Sequence, residues 1–179
     1  MPSLLSVRIN RAPVLALWGA VVAERLGMPH ETALTIGQTL AGLNAYSKGA
    51  RLGIYAPPEE RAHEPPPPLP KGVRKVREVA LLGRVIHVGD TPEGPRAIAK
   101  GEIVKAEAVE RYLRSRFGDA LAGMRGEMRR LASRFTPEEL NREGFHLYEQ
   151  FRPTVPPGER GWGAKGVLDV AKIRALGPR

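Results

Sequence analysis

The sequence predicts an α+β fold, mainly α: a helical hairpin, then a small β-hairpin or meander, then a helical bundle. Apolar residues recur at helical spacing before residue 48 and again over 106–151. Between them, over 76–104, the spacing shortens, and Gly83, Gly89, Gly94 and Gly101 interrupt it. Prolines crowd 57–72. They divide the chain into an N-terminal helical hairpin (1–56), a proline-rich linker (57–72) and a basic α+β region (73–179) with a Gly-rich C-terminal loop. The two outer parts remain free to pack as one globular unit.

The first predicted helix spans 13–27. Pro13 suits a first turn, where no amide donor is needed. Val14, Leu17, Trp18, Val21 and Val22 share a face, Leu15 and Leu26 widen it, and Gly27 and Pro29 stop the helix. So broad an apolar face packs against more than one neighbour, and it makes 14–45 a candidate homodimer surface. The second helix, 30–47, sets Ala33, Leu34, Gly37, Leu40, Ala41 and Asn44 on one side. Its small residues Gly37, Ala41 and Ala45 let another helix approach closely. Lys48-Gly49 ends it, and Arg51–Tyr55 reads as a short strand. In the linker, Pro65–Pro68 favours polyproline II and reads as a stiff spacer rather than a ligand for a proline-reading domain.

Val79, Leu81, Val85, Ile86, Val88 and Ile98 read as two or three short strands, with strong turn chemistry at Asp90-Thr91-Pro92-Glu93-Gly94. Three helices follow, at 106–117, 119–134 and 137–151. Asp119 is the candidate N-cap of the second. Thr136-Pro137-Glu138-Glu139 is a capping box opening the third. Residues 152–167 read as a Gly/Pro-rich loop, and Asp169 as the cap of a last short helix over Val170–Leu176.

The chain has 179 residues and no cysteine, which excludes disulfides, thiolate metal sites and cysteine nucleophiles. No stretch reads as a signal peptide or a bilayer span, so the expected location is cytoplasmic, with no membrane partner. The net charge of +9 is uneven: residues 1–70 hold 6 Lys/Arg against 5 Asp/Glu, and 71–179 hold 22 against 14. Such an excess favours nucleic acid, DNA or RNA, or an anionic surface as partner. The 21 arginines against 7 lysines also fit a GC-rich genome or a hot habitat.

The candidate anion contacts follow from this charge. Gly161-Trp162-Gly163-Ala164-Lys165-Gly166 matches G-x-G-x-x-G, yet a dinucleotide site needs an acidic residue about 20 positions on, and only 13 residues follow. What remains is a glycine-rich loop with Arg160, Trp162 and Lys165. It reads either as a phosphate or base contact or as a tail anchored by Trp162. Lys48 and Arg51, with Gly49 and Gly53, have the same character; Lys48 also suits a helix C-terminus on structural grounds alone. Arg74, Lys75 and Arg77, flanked by Lys71 and Arg84, form a basic cluster. Arg111, Arg114, Arg116, Arg125, Arg129, Arg130 and Arg134 form a second one on helices, with Glu107, Glu110 and Glu127 as local partners for some. His30, His63, His87 and His146 are scattered. No metal site, cofactor or catalytic residue is implied.

The runs Arg11-Ala12-Pro13-Val14-Leu15-Ala16-Leu17-Trp18, Glu24-Arg25-Leu26-Gly27, Glu31-Thr32-Ala33-Leu34-Thr35 and Ala41-Gly42-Leu43-Asn44-Ala45 resemble a family of uncharacterised bacterial proteins, as does the Arg160–Gly166 loop. The resemblance spans most of the chain and implies no activity. The leading expectation is non-catalytic nucleic-acid binding through phosphates. The alternatives are a protein-interaction or scaffold subunit and, third, an enzyme on a phosphorylated small molecule.

Overall fold

A computed structural model describes residues 5–51, 69–154 and 165–178, and over 45–51 the backbone alone. Strand β1 (Ser6–Ile9) leads into helix α1 (Arg11–Arg25), and a short turn connects α1 to helix α2 (His30–Arg51). Every residue of α1 from Pro13 to Ala23 is buried. A helix apolar all round has to be central, and α1 touches four other helices of the chain. The apolar surface that suggested a homodimer is thus covered from within the same chain.

The α1–α2 crossing is close because glycines face it. A Cβ on Gly37 would lie 2.2 Å from the Ala16 carbonyl oxygen and 2.6 Å from the Ala20 nitrogen. The small residue at 37 therefore does what its position predicts. Helix α2 runs through Lys48-Gly49 to Arg51, beyond the expected stop, so Arg51 is helical; 52–55 lies outside the described residues, as do 57–68 of the linker.

The other side of α2 carries a row of threonines, all buried: Thr32, Thr35 and Thr39. Their hydroxyls dock a sheet. Thr32 Oγ1 donates to the Pro95 carbonyl (2.7 Å), and the Ala97 amide donates to Thr35 Oγ1 (2.9 Å). The sheet is antiparallel with four strands in sequence order: β2 (Val76–Leu81), β3 (Arg84–Thr91), β4 (Gly94–Ala99) and β5 (Glu102–Ile103). It has one strand more than the sequence suggested. The β2–β3 turn, Leu82-Gly83, has positive φ at both residues (50° and 81°), as a two-residue hairpin turn requires. Leu82 tolerates this conformation because its side chain is buried against the helix that carries Asn141 and Gly144. There the Asn141 side chain receives the Leu82 amide (3.0 Å) and donates to the Ala80 carbonyl (3.3 Å).

Helix α3 (Ala106–Phe117) is followed by a 3₁₀ turn (Gly118–Ala120), α4 (Leu121–Ser133) and α5 (Pro137–Phe151). Asp119 does not cap α4. It lies inside the 3₁₀ turn, and Ala120 precedes the helix with no side-chain cap. The capping box at Thr136 and Glu139 forms in both directions, with Pro137 in the first turn. Strand β6 (Gly166–Asp169) pairs antiparallel with β1, where the sequence suggested only loop, and Asp169 caps helix α6 (Val170–Arg174) through the Ala171 amide at 2.9 Å. One apolar core holds residues of α1, α2, the sheet and the later helices. In it Trp18 meets Phe151 edge-on at 5.3 Å.

Candidate nucleic-acid interface

The helical arginines are largely matched. Arg125 grips Glu110 with two hydrogen bonds, 3.1 and 2.8 Å, and Arg114 stands 3.7 Å from the same carboxylate. Burial opposes ionisation of Glu110, but these arginines hold its carboxyl below its ordinary range. Arg129 pairs with Glu24, and Arg130 with Glu127. Arg174 also reaches Glu127 (3.0 Å); its hydrogen bond does most to hold that carboxyl low. Arg134 donates to the Leu176 and Arg174 carbonyls, and Arg116 lies over the Tyr112 ring. Partners within the chain therefore occupy much of this second cluster.

The first cluster is different. Lys71, Arg74, Lys75 and Arg77 are all exposed, and among the described residues none of them makes an ion pair. They run into and along β2, an edge strand of the sheet. Just before β2 the ladder is irregular. The Arg74 amide donates to the Asp90 carbonyl (3.2 Å), while the Asp90 amide donates to the Lys75 carbonyl (2.9 Å). Two residues oppose one, the arrangement of a β-bulge, which re-aims side chains that would otherwise alternate. Arg74 and Lys75 accordingly line one open groove of about 670 Å³ with Gly72, Asp90, Thr91 and Pro92. Thr91 Oγ1 is tied to the Gly94 carbonyl at 2.7 Å, which fixes the far wall. Asp90 and Thr91 entered the sequence reading only as turn residues. Nothing in linear spacing places them across a groove from Arg74 and Lys75.

The remaining sequence candidates lie elsewhere. The bulge adjoins the N-terminal end of α2, since Asp90 pairs with Pro95 and Pro95 accepts from Thr32. Lys165 is exposed beside Gly166, which pairs with Ile9 just ahead of α1. At 1.5 Å per residue the 15 residues of α1 put these places on the order of 20 Å apart along the helix. Lys48 and Arg51 are in the last turns of α2, which returns antiparallel along α1, so their backbone lies toward the Lys165 end. Arg160 and Trp162 lie outside the described residues.

Burial pushes the Tyr148 hydroxyl up to about 12, so it stays protonated, donating to the Arg11 carbonyl at 3.3 Å. Among the described residues no group of three or more His, Cys, Asp or Glu is placed to hold a metal ion, and no helix is long and apolar enough to cross a membrane. Comparison with known proteins adds no identity: no family model, no curated protein and no solved structure matches the chain, so the groove is read from its own residues.

Proposed function

We propose that this protein binds nucleic acid without catalysis, through the phosphates, on the ribbon of Lys71, Arg74, Lys75 and Arg77. The observation that carries the reading is the contrast in pairing: much of the helical cluster has acidic or carbonyl partners, while these four exposed cations have no ion pair among the described residues. Cations left unneutralised on an exposed edge attract phosphates and displace their counterions. The apolar face of α1, which favoured a scaffold or homodimer, is occupied by the chain's own helices, and this leaves the charge as the stronger signal. Lys48, Arg51 and Lys165 serve only a ligand long enough to reach the other end of α1, roughly six base pairs at 3.4 Å each.

Anisotropy titrations with duplex DNA, single-stranded DNA and RNA at two salt concentrations test the proposal. Four phosphate contacts correspond to a slope of roughly −3.6 in log K against log salt on duplex. Charge reversal at Arg74, Lys75 and Arg77 together is expected to abolish binding. No binding of any of the three at 50 mM salt would sink the reading.

A further inference from the structure

Asp90 is an oddity in a phosphate site. The half-buried residue lines the same groove as Arg74 and Lys75, yet its carboxylate forms no salt bridge with either and accepts no hydrogen bond among the described residues. An acid in such a place repels a bare phosphate chain. It does, however, offer two oxygens as acceptors, while the two cations offer only donors. The groove thus suits a ligand that carries an anion and, a few ångströms away, a hydroxyl donor. A ribonucleotide backbone has both, and a deoxyribonucleotide backbone lacks the second.

We propose that the bulge groove is a ribose-phosphate site. Arg74 and Lys75 bind a phosphate, and Asp90 accepts a hydrogen bond from an adjacent 2′-hydroxyl. The protein then prefers RNA to DNA. The inference rests on the nucleic-acid reading above and sharpens it. The bulge is what makes the site: without two residues opposing Asp90, Arg74 and Lys75 would point to opposite faces of the sheet.

The test uses three homopolymers with the same base: oligo(U), oligo(dU) and 2′-O-methyl oligo(U). The last keeps the phosphates and removes the donor. Anisotropy at one fixed salt concentration is expected to show oligo(U) binding about tenfold tighter than oligo(dU), on the scale of one hydrogen bond to a charged acceptor. The 2′-O-methyl strand should bind no better than oligo(dU). In Asp90→Ala the preference disappears, while oligo(dU) binds as well as or better than before, because a repulsive charge has gone. Asp90→Asn keeps a neutral acceptor and retains a smaller preference. The side chain has no partner to lose, so both variants should melt like the parent. Equal affinity for oligo(U) and oligo(dU), or a preference that survives Asp90→Ala, overturns the assignment and leaves phosphate binding standing. Failure to bind any of the strands overturns the assignment, and the phosphate-binding reading falls with it if duplex DNA is not bound either.

Discussion

Trp18 on α1 donates its indole N–H to the carbonyl oxygen of Gly144 on α5, 2.9 Å away. Gly144 has no side chain because Leu82 fills the space: an added Cβ would sit 2.3 Å from Leu82 Cδ2. Three distant parts of the chain meet at this point. Trp18→Phe removes the donor and part of the buried ring, while the Gly144 carbonyl keeps its helical partner, at a cost of about 1–3 kcal/mol. Gly144→Ala overpacks the same spot and costs a comparable amount. Thermal denaturation should show both variants melting lower, by roughly 2–4 °C per kcal/mol for a chain of this size.

Glycines within α2 should respond with opposite signs. Gly37→Ala sets a methyl against the α1 backbone, which has no rotamer to yield, so the helices must part; the loss should reach or exceed about 3 kcal/mol. Gly42 is exposed, and an added Cβ there meets nothing within 4 Å. Gly42→Ala is expected to stabilise by about 0.5–1 kcal/mol through helix propensity alone. Chemical denaturation of the two variants side by side checks the sign.

Basic residues should divide into those that bind and those that hold the fold. Arg125→Ala strands the half-buried Glu110 and should lower the melting temperature while leaving nucleic-acid affinity within about twofold. Arg74→Ala or Lys75→Ala should leave melting unchanged and reduce the magnitude of the salt slope by about one each. Equal loss of affinity in both classes would mean that net charge, not the ribbon, governs binding.

Acid should loosen the C-terminal end. Glu127 has a lowered folded-state pKa, chiefly from the Arg174 hydrogen bond, with the Arg130, Arg174 and Arg134 charges adding to it. A depressed carboxyl contributes stability above its unfolded pKa and loses it as pH falls through the folded one. That contribution is therefore full at neutral pH and fades below the ordinary glutamate range, near pH 4. Melting temperature followed from pH 7 to pH 3 should fall less steeply in Glu127→Gln than in the parent, from a lower starting value.

What local chemistry determines was readable in the sequence. The apolar run in α1, the capping box at Thr136 and Glu139, and Asp169 as a cap all depend on residues within a turn or two of one another. Structure that depends on remote partners was not. Strands β1 and β6 are four residues each, too short to show a period, and each exists because of the other. Thr32, Thr35 and Thr39 look like an exposed helical flank until β4 supplies an amide and a carbonyl to bond. The candidate site divides in the same way. Its cations stand out in composition. Its groove depends on a bulge and on Asp90, which only the hairpin brings opposite Arg74 and Lys75.

The pairing of Ser6 with Asp169 has a consequence for synthesis. The first strand leaves the ribosome long before its partner is made. At about 5–20 residues per second, the interval is on the order of ten to thirty seconds. Throughout it α1, the most apolar segment, gains its covering helices one by one but has no clasp at its leading end. A chain stopped before Gly166 would therefore hold every helix that packs on α1 yet lack the strand that pairs with Ile9 at its leading end.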